Sequence, residues 1–268
     1  MHIVALIPHP KTALSSLLIA DAAAAVAPGS AITALHVCVD PAKIGGSVEE
    51  IDMQEMRIRE EGTAFQRRDQ VRAIFEDWAA RREQSPARAT AEWVEVDSGE
   101  EDAVRNHLGS ADLVTIARPQ SMDGGDALHA ALFDHRSLLL FTPEIDCAPK
   151  FLGRSIAVLW KDDEETRSCL QKAALWLRSA VTISILVERA GDIEAAVAFL
   201  GIVEPSPHAH IETGLVKHGK DFIEKAKILG ADTLLMGAYR HGQFVEAVFG
   251  GDTKAVLDGT DLPVFLSH

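Results

Sequence analysis

The chain has 268 residues, 47% of them hydrophobic and 25% charged, a balance that excludes a mainly disordered protein. Lys and Arg number 26 against 40 Asp and Glu, a formal net charge of −14. Such a surface repels a nucleic-acid backbone and an anionic membrane, so neither is expected as a partner, although a phosphate ligand can still be held by local backbone N–H groups.

The opening run "HIVALIPH" is apolar nearly throughout, as a strand buried on both faces should be. "TALSSLLIADAAAAVA" follows with helical spacing and stops at Pro28-Gly29. The run "LLIADAAAAVAP" is not read as a secretory signal, because the opening "MHIVALIPHP" carries no Lys or Arg, Asp21 interrupts the run and its periodicity suits an amphipathic helix. "AITALHVCVD" is a second strand. Asp52 to Ser85 carries Met53, Met56, Phe65, Val71, Ile74, Phe75 and Trp78 in a charged background, which predicts an amphipathic helix broken near Gly62. "ATAEWVEVDSG" alternates like a strand, and "EEDAVRNHLGS" is helical with an acidic start that suits the helix dipole. "ADLVTIARP" and "SLLLFTPE" are two further buried strands.

The second half repeats the order. "SIAVLW" is a strand, and "EETRSCLQKAALWLRSA" is a helix with Leu170, Ala174 and Leu177 on one stripe. Strand "VTISILVE", helix "DIEAAVAFLG", strand "HAHIETGLV", helix "GKDFIEKAKILG" and strand "ADTLLMGA" follow, and "LPVFLSH" is the last strand. Alternation of strand and helix predicts an α/β fold: two tandem, open, Rossmann-like parallel sheets with helices on both faces. "LGSADLVTIARP" also matches "LGADTLLMGAYR" after one gap. Pro149, Gly153 and charge interrupt the apolar pattern in "IDCAPKFLGRS", so the domains are expected at residues 1–148 and 154–268. The three scattered cysteines, Cys38, Cys147 and Cys169, suggest a reducing compartment, and each reads as a small buried hydrophobe. A cytoplasmic location is expected.

Ligands of open parallel sheets sit beyond the carboxyl ends of the strands. In this chain that position after "ADTLLMGA" is filled by "GAYRHGQFVEAVFGGDTKAV", residues 237–256. Glycines let a backbone approach an anion, and a following helix start offers N–H groups. Spacing alone leaves two readings open: a phosphate loop, or turns that cap a helix over Gln243 to Phe249.

This stretch resembles the last segment of the universal stress protein family, whose ATP-binding members carry G-x-x-G, nine residues, then G-[S/T], a helix and a Pro-Val strand. Gly237 falls on the first glycine, Arg240 on the second, Gly250 on the third, and Gly251 on the Ser/Thr. Thr253 falls on a further position that is often Ser or Thr; Lys254 to Leu257 and Pro263-Val264 match the helix and strand that follow. The resemblance implies a tandem two-domain protein of that family, a non-catalytic stress-response module. It implies an ATP site in the C-terminal domain built from Gly237, Arg240, Gly242, Gly250, Gly251 and Thr253, with Mg²⁺ entering only with ATP. Arg240 cannot adopt positive φ as a glycine can, but its guanidinium can pair with a phosphate, and Gly242 can shift the turn. Family members that bind ATP tend to have an Asp after the first strand; here Lys161 stands there, followed by Asp162 and Asp163. In the N-terminal domain "LIPHPKTA" lacks that Asp and "IARPQSMDGGDALHAALF" lacks the spaced glycines, so no nucleotide is expected there. In resembling proteins the last strands of two domains pair antiparallel. "SLLLFTPE" and "LPVFLSH" would do so within this chain, making an intramolecular pseudo-dimer to which a homodimer can be added. The alternatives are a partner-binding protein with both sites degenerate, and a weak ATPase.

No other pattern carries chemistry. G-x-S-x-G, H-E-x-x-H and the full Walker A motif G-x-x-x-x-G-K-[S/T] are absent, and no catalytic residue is assigned. His208, His210 and Glu212 would share one face of a strand, yet their spacing fits no known ligand set, so no metal site is expected. "DDEE" at Asp162 to Glu165 reads as helix capping, with a Mg²⁺ contact beside a triphosphate as the alternative.

Overall fold

The computed structural model describes residues 1–38, 56, 58–82, 89–119, 124–238 and 251–268. They fold as two compact units: Met1–His135 with Glu144–Cys147, and Arg136–Pro143 with Ala148–His268.

The first unit contains β1 (His2–Leu6), α1 (Pro10–Ala24), β2 (Ala31–Val37), α2 (Ala64–Arg82), β3 (Thr90–Val96), α3 (Glu100–His107), β4 (Leu113–Ala117) and α4 (Gly125–His129). A π-helical turn, Ala130–Asp134, continues α4; the sequence reading has no helix here. Strands run in the order β3-β2-β1-β4, all parallel. Ile3 to Leu6 of β1 are buried on both faces, as an uninterrupted apolar run requires. Small residues let α1 lie close to the sheet: Ala13, Leu17, Ala20 and Ala23 are fully buried. The buried Ser16 of this helix is satisfied by β4, where Ala117 N donates to Ser16 Oγ at 2.8 Å and Thr115 Oγ1 donates to the Ser16 carbonyl at 3.1 Å.

The chain breaks helix at Gly62, which has φ +82, before α2 begins. Ala64, Arg67, Val71, Phe75, Trp78 and Arg82 form the buried stripe of α2. Met56 and Phe65 lie off it and are exposed, and Met53 lies outside the described residues. The two arginines on this stripe are buried because they are bonded. Arg67 donates to the Gly62 carbonyl at 2.6 Å. Arg82 donates to Asp21 and to the Ala89 carbonyl, both at 2.9 Å, and its guanidinium stacks 4.3 Å from the Trp78 ring centre.

The second unit contains β5 (Leu139–Thr142), β6 (Ser155–Trp160), α5 (Glu164–Lys172), α6 (Ala174–Ser179), β7 (Thr182–Val187), α7 (Ile193–Val203), β8 (His210–Leu215), α8 (Gly219–Ile228), β9 (Thr233–Gly237), α9 (Gly251–Gly259) and β10 (Val264–Ser267). Its strands run β5-β10-β9-β6-β7-β8. All pairs are parallel except β5 with β10, which are antiparallel in the register Phe141↔Val264, Leu140↔Phe265 and Leu139↔Leu266. β5 clusters with this unit because its hydrogen bonds go to β10.

The helix expected over 164–180 is two helices. Ala173, at φ −84 and ψ 9, ends α5, and the buried stripe becomes Cys169, Leu170, Ala173, Trp176 and Leu177, with Ala174 only partly covered. The half-repeat seen in sequence has a structural counterpart. Asp112 accepts from the His2 backbone N–H at 2.7 Å, and Asp232 accepts from that of Ser155 at 3.0 Å. An Asp just before β4 thus ties down the start of β1, and an Asp just before β9 ties down the start of β6.

Candidate functional site

The carboxyl ends of β6, β7 and β9 in the second unit form the edge at which a parallel sheet takes a ligand. β6 ends at Trp160, fully buried, its ring 5.6 Å from that of Phe199. Lys161 follows, and its ammonium lies 3.3 Å from Glu188, the residue after β7. This position, where the family pattern has an Asp, therefore carries an ion pair between two strand ends. Asp163 caps α5, its carboxylate accepting from Thr166 N at 3.0 Å, and Asp162 pairs with Arg167. The "DDEE" run thus acts in capping and ion pairing.

β9 ends at Gly237, opposite Ser267 of β10, and Ala238 N donates to the Ser267 carbonyl at 2.9 Å. The His268 ring bonds the Ala238 carbonyl at 2.9 Å. α9 includes Gly251 and Thr253, and Thr253 is fully buried. A Cβ added to Gly251 would meet no described atom within 4 Å. Gly237, Gly251 and Thr253 therefore all belong to the second unit, at the end of β9 and in α9; Arg240, Gly242, Gly250 and the helix expected over Gln243 to Phe249 lie outside the described residues.

Beside β9 and β10 the structure assembles a cluster that the sequence reading does not identify. Lys172 donates to Ser267 Oγ at 2.7 Å and to the Arg136 carbonyl at 2.5 Å, and Ser168 Oγ lies 3.4 Å from Ser267 Oγ. Desolvation lowers the pKa of Lys172. Burial pushes the Cys169 thiol up to about 12, against the pull of the Lys172 ammonium. The only sequence signal for this group is the Ser168-x-x-x-Lys172 helical spacing, which gives no hint of Ser267.

The cysteines divide by environment. Cys38 and Cys169 are buried, as read from sequence, but Cys147 is exposed, because the segment Glu144–Cys147 runs over the first unit. At pH 8 a disulfide reagent is expected to titrate Cys147 alone in the native chain and all three thiols after unfolding. Fast reaction of Cys169 in the native chain would contradict its burial.

His208 stands in a turn before β8 and is not part of the strand, which separates it from His210 and Glu212. Glu212 accepts from Ser184 Oγ at 2.6 Å. Among the described residues no group of three or more His, Cys, Asp or Glu is placed to hold a metal ion, and no helix is long and apolar enough to cross a membrane.

In the first unit the equivalent edge is built differently. Pro8 follows β1, and Gly124 precedes α4 in a left-handed conformation at φ +96. Glu100, the first residue of α3, is buried, and its carboxylate accepts from Gly124 N at 2.6 Å and from Ala127 N at 2.9 Å.

No family model matches the sequence, and the comparison with curated proteins gives no significant match. The likeness to solved structures is clear. A universal stress protein from Archaeoglobus fulgidus DSM 4304 is 14% identical, with 99% of this chain and 95% of that chain covered at a TM-score of 0.57. A protein from Pseudomonas aeruginosa UCBPP-PA14, provisionally assigned as a universal stress protein, is 16% identical, with 99% and 92% covered at a TM-score of 0.55. A functionally unknown protein from Pseudomonas aeruginosa PAO1 is 17% identical, with the same coverage and a TM-score of 0.54. The chain thus has the α/β fold of the universal stress proteins over its whole length.

Proposed function

We propose that the protein is a cytoplasmic stress-response module of the universal stress type, which binds ATP in its second unit and regulates partners without catalytic turnover. The observation that carries this reading is that Gly237 ends β9 while Gly251 and Thr253 lie in α9 of the same unit. Backbone N–H groups at a helix start favour phosphate oxygens, and glycines keep side chains out of their approach. Arg240 would add a guanidinium to the phosphates, and Mg²⁺ would arrive with the nucleotide. Gly237 and Gly251 support ATP on the phosphate side. The base side departs from the family pattern, since Lys161 is paired with Glu188 there.

That ion pair favours a second reading, a partner-binding protein in which neither unit holds nucleotide. Calorimetric titration of Mg-ATP into the wild type and Gly251→Ser decides between them. No described atom lies within 4 Å of the new Cβ, and its hydroxyl restores the family's Ser/Thr. One charge-assisted hydrogen bond contributes about 1.5–3 kcal/mol, so the variant should bind at least about tenfold more tightly than a micromolar wild type. No heat from either protein would overturn the ATP reading in favour of partner binding. Phosphate release in a single-turnover assay would instead establish an ATPase.

A further inference from the structure

We propose that Glu100 is an internal ligand that latches the carboxyl edge of the first unit shut, so that the two units of this chain differ in what they can bind. At the start of α4 the backbone N–H groups of Gly124 and Ala127 are donors of the kind an external anion would use. Both described donors facing Glu100 are taken: one carboxylate oxygen accepts from Gly124 and the other from Ala127. A carboxylate bound through both oxygens to backbone N–H groups makes the same kind of contact that a phosphate makes. Glu100 is 7% exposed, so this contact is made away from solvent, where a charged acceptor holds its donors most strongly.

The neighbouring contacts keep the latch in register. Gly124 is left-handed, and the position a Cβ would take lies 2.8 Å from the Pro8 ring. Pro8 thus presses on the same glycine whose N–H the carboxylate holds. Glu100 is the first residue of α3 and is fixed by that helix, so the latch joins the start of α3, the end of β1 and the start of α4. In the second unit the corresponding strand ends on Gly237.

The stoichiometric part of this inference rests on the ATP reading above; the latch itself does not. The test is amide hydrogen exchange on the full chain by NMR, comparing the wild type with Glu100→Ala and Glu100→Gln, beside Mg-ATP titration of the wild type. Gly124 and Ala127 amides should be protected in the wild type. Exchange at these two sites should rise at least about tenfold in Glu100→Ala and less in Glu100→Gln, which keeps one acceptor oxygen, while amides of β6 stay unchanged. Bound nucleotide should not exceed one per chain. Unprotected wild-type amides, or no change in either variant, would overturn the latch. Two nucleotides per wild-type chain would overturn it as well, whereas none would refute only the ATP reading.

Discussion

Replacing Trp176 with Ala is expected to cost the protein about 4 kcal/mol of stability, within the range of buried Trp and Phe truncations. Trp176 is 2% exposed. Its ring lies 4.7 Å from that of Phe265 on β10, and its Cδ1 lies 3.1 Å from where a Cβ on Gly153 would be. Gly153 is at φ +72, and its N–H donates to Thr233 Oγ1 at 2.8 Å, so the turn beneath the indole has little freedom to close over the cavity. Trp176→Phe should cost far less, about 1 kcal/mol. It removes less volume, and it removes an indole N–H that is buried without a hydrogen-bond partner among the described residues. Denaturant unfolding followed by circular dichroism checks both variants. Equal losses would show that the cavity is not the dominant contribution.

Gly124→Ala should be the second severe change, and its cost has two separable parts. An L-residue in the left-handed region loses about 1–2 kcal/mol. A Cβ at 2.8 Å from Pro8 and 3.7 Å from Pro119 adds overpacking of about 1–3 kcal/mol. Gly29→Ala isolates the first part, since Gly29 is at φ +81 with no described atom within 4 Å of the added carbon. The expected order is therefore a loss of roughly 1 kcal/mol for Gly29→Ala and about 3 kcal/mol for Gly124→Ala. Because the clash pushes Gly124 off Pro8, this variant should also loosen the Glu100 contact, visible as faster exchange at the Ala127 amide. Equal costs for the two glycines would show that Pro8 yields.

Reading from sequence succeeds where one physical signal dominates. Apolar runs such as "HIVAL" and "TLLMG", short and rich in branched residues, read as strands covered on both faces, and the structure has them as β1 and β9. The break at Gly62 and the Asp163 cap are equally local. The helix over 164–180 is divided because tertiary packing of Trp176 against Phe265 and Gly153 favours a turn at Ala173 over an unbroken stripe. Cys147 escapes burial for a similar reason: its segment runs across the first unit, which no composition rule anticipates.

Of the six proposed nucleotide contacts, the sequence supplies identities and spacing, and the structure places Gly237, Gly251 and Thr253 in the second unit. By itself, then, the sequence determined the alternation of strand and helix, the doubling of that pattern, and the glycines at one strand end. These are properties of neighbours along the chain: periodicity, capping and conformational freedom. Only the tertiary structure decided that Lys161 meets Glu188, that Ser267 meets Lys172 across 95 residues, and that Glu100 takes the N–H groups of Gly124 and Ala127. Hydrogen bonds and ion pairs between distant residues leave no period in the sequence, since they depend on which strand ends the sheet brings side by side.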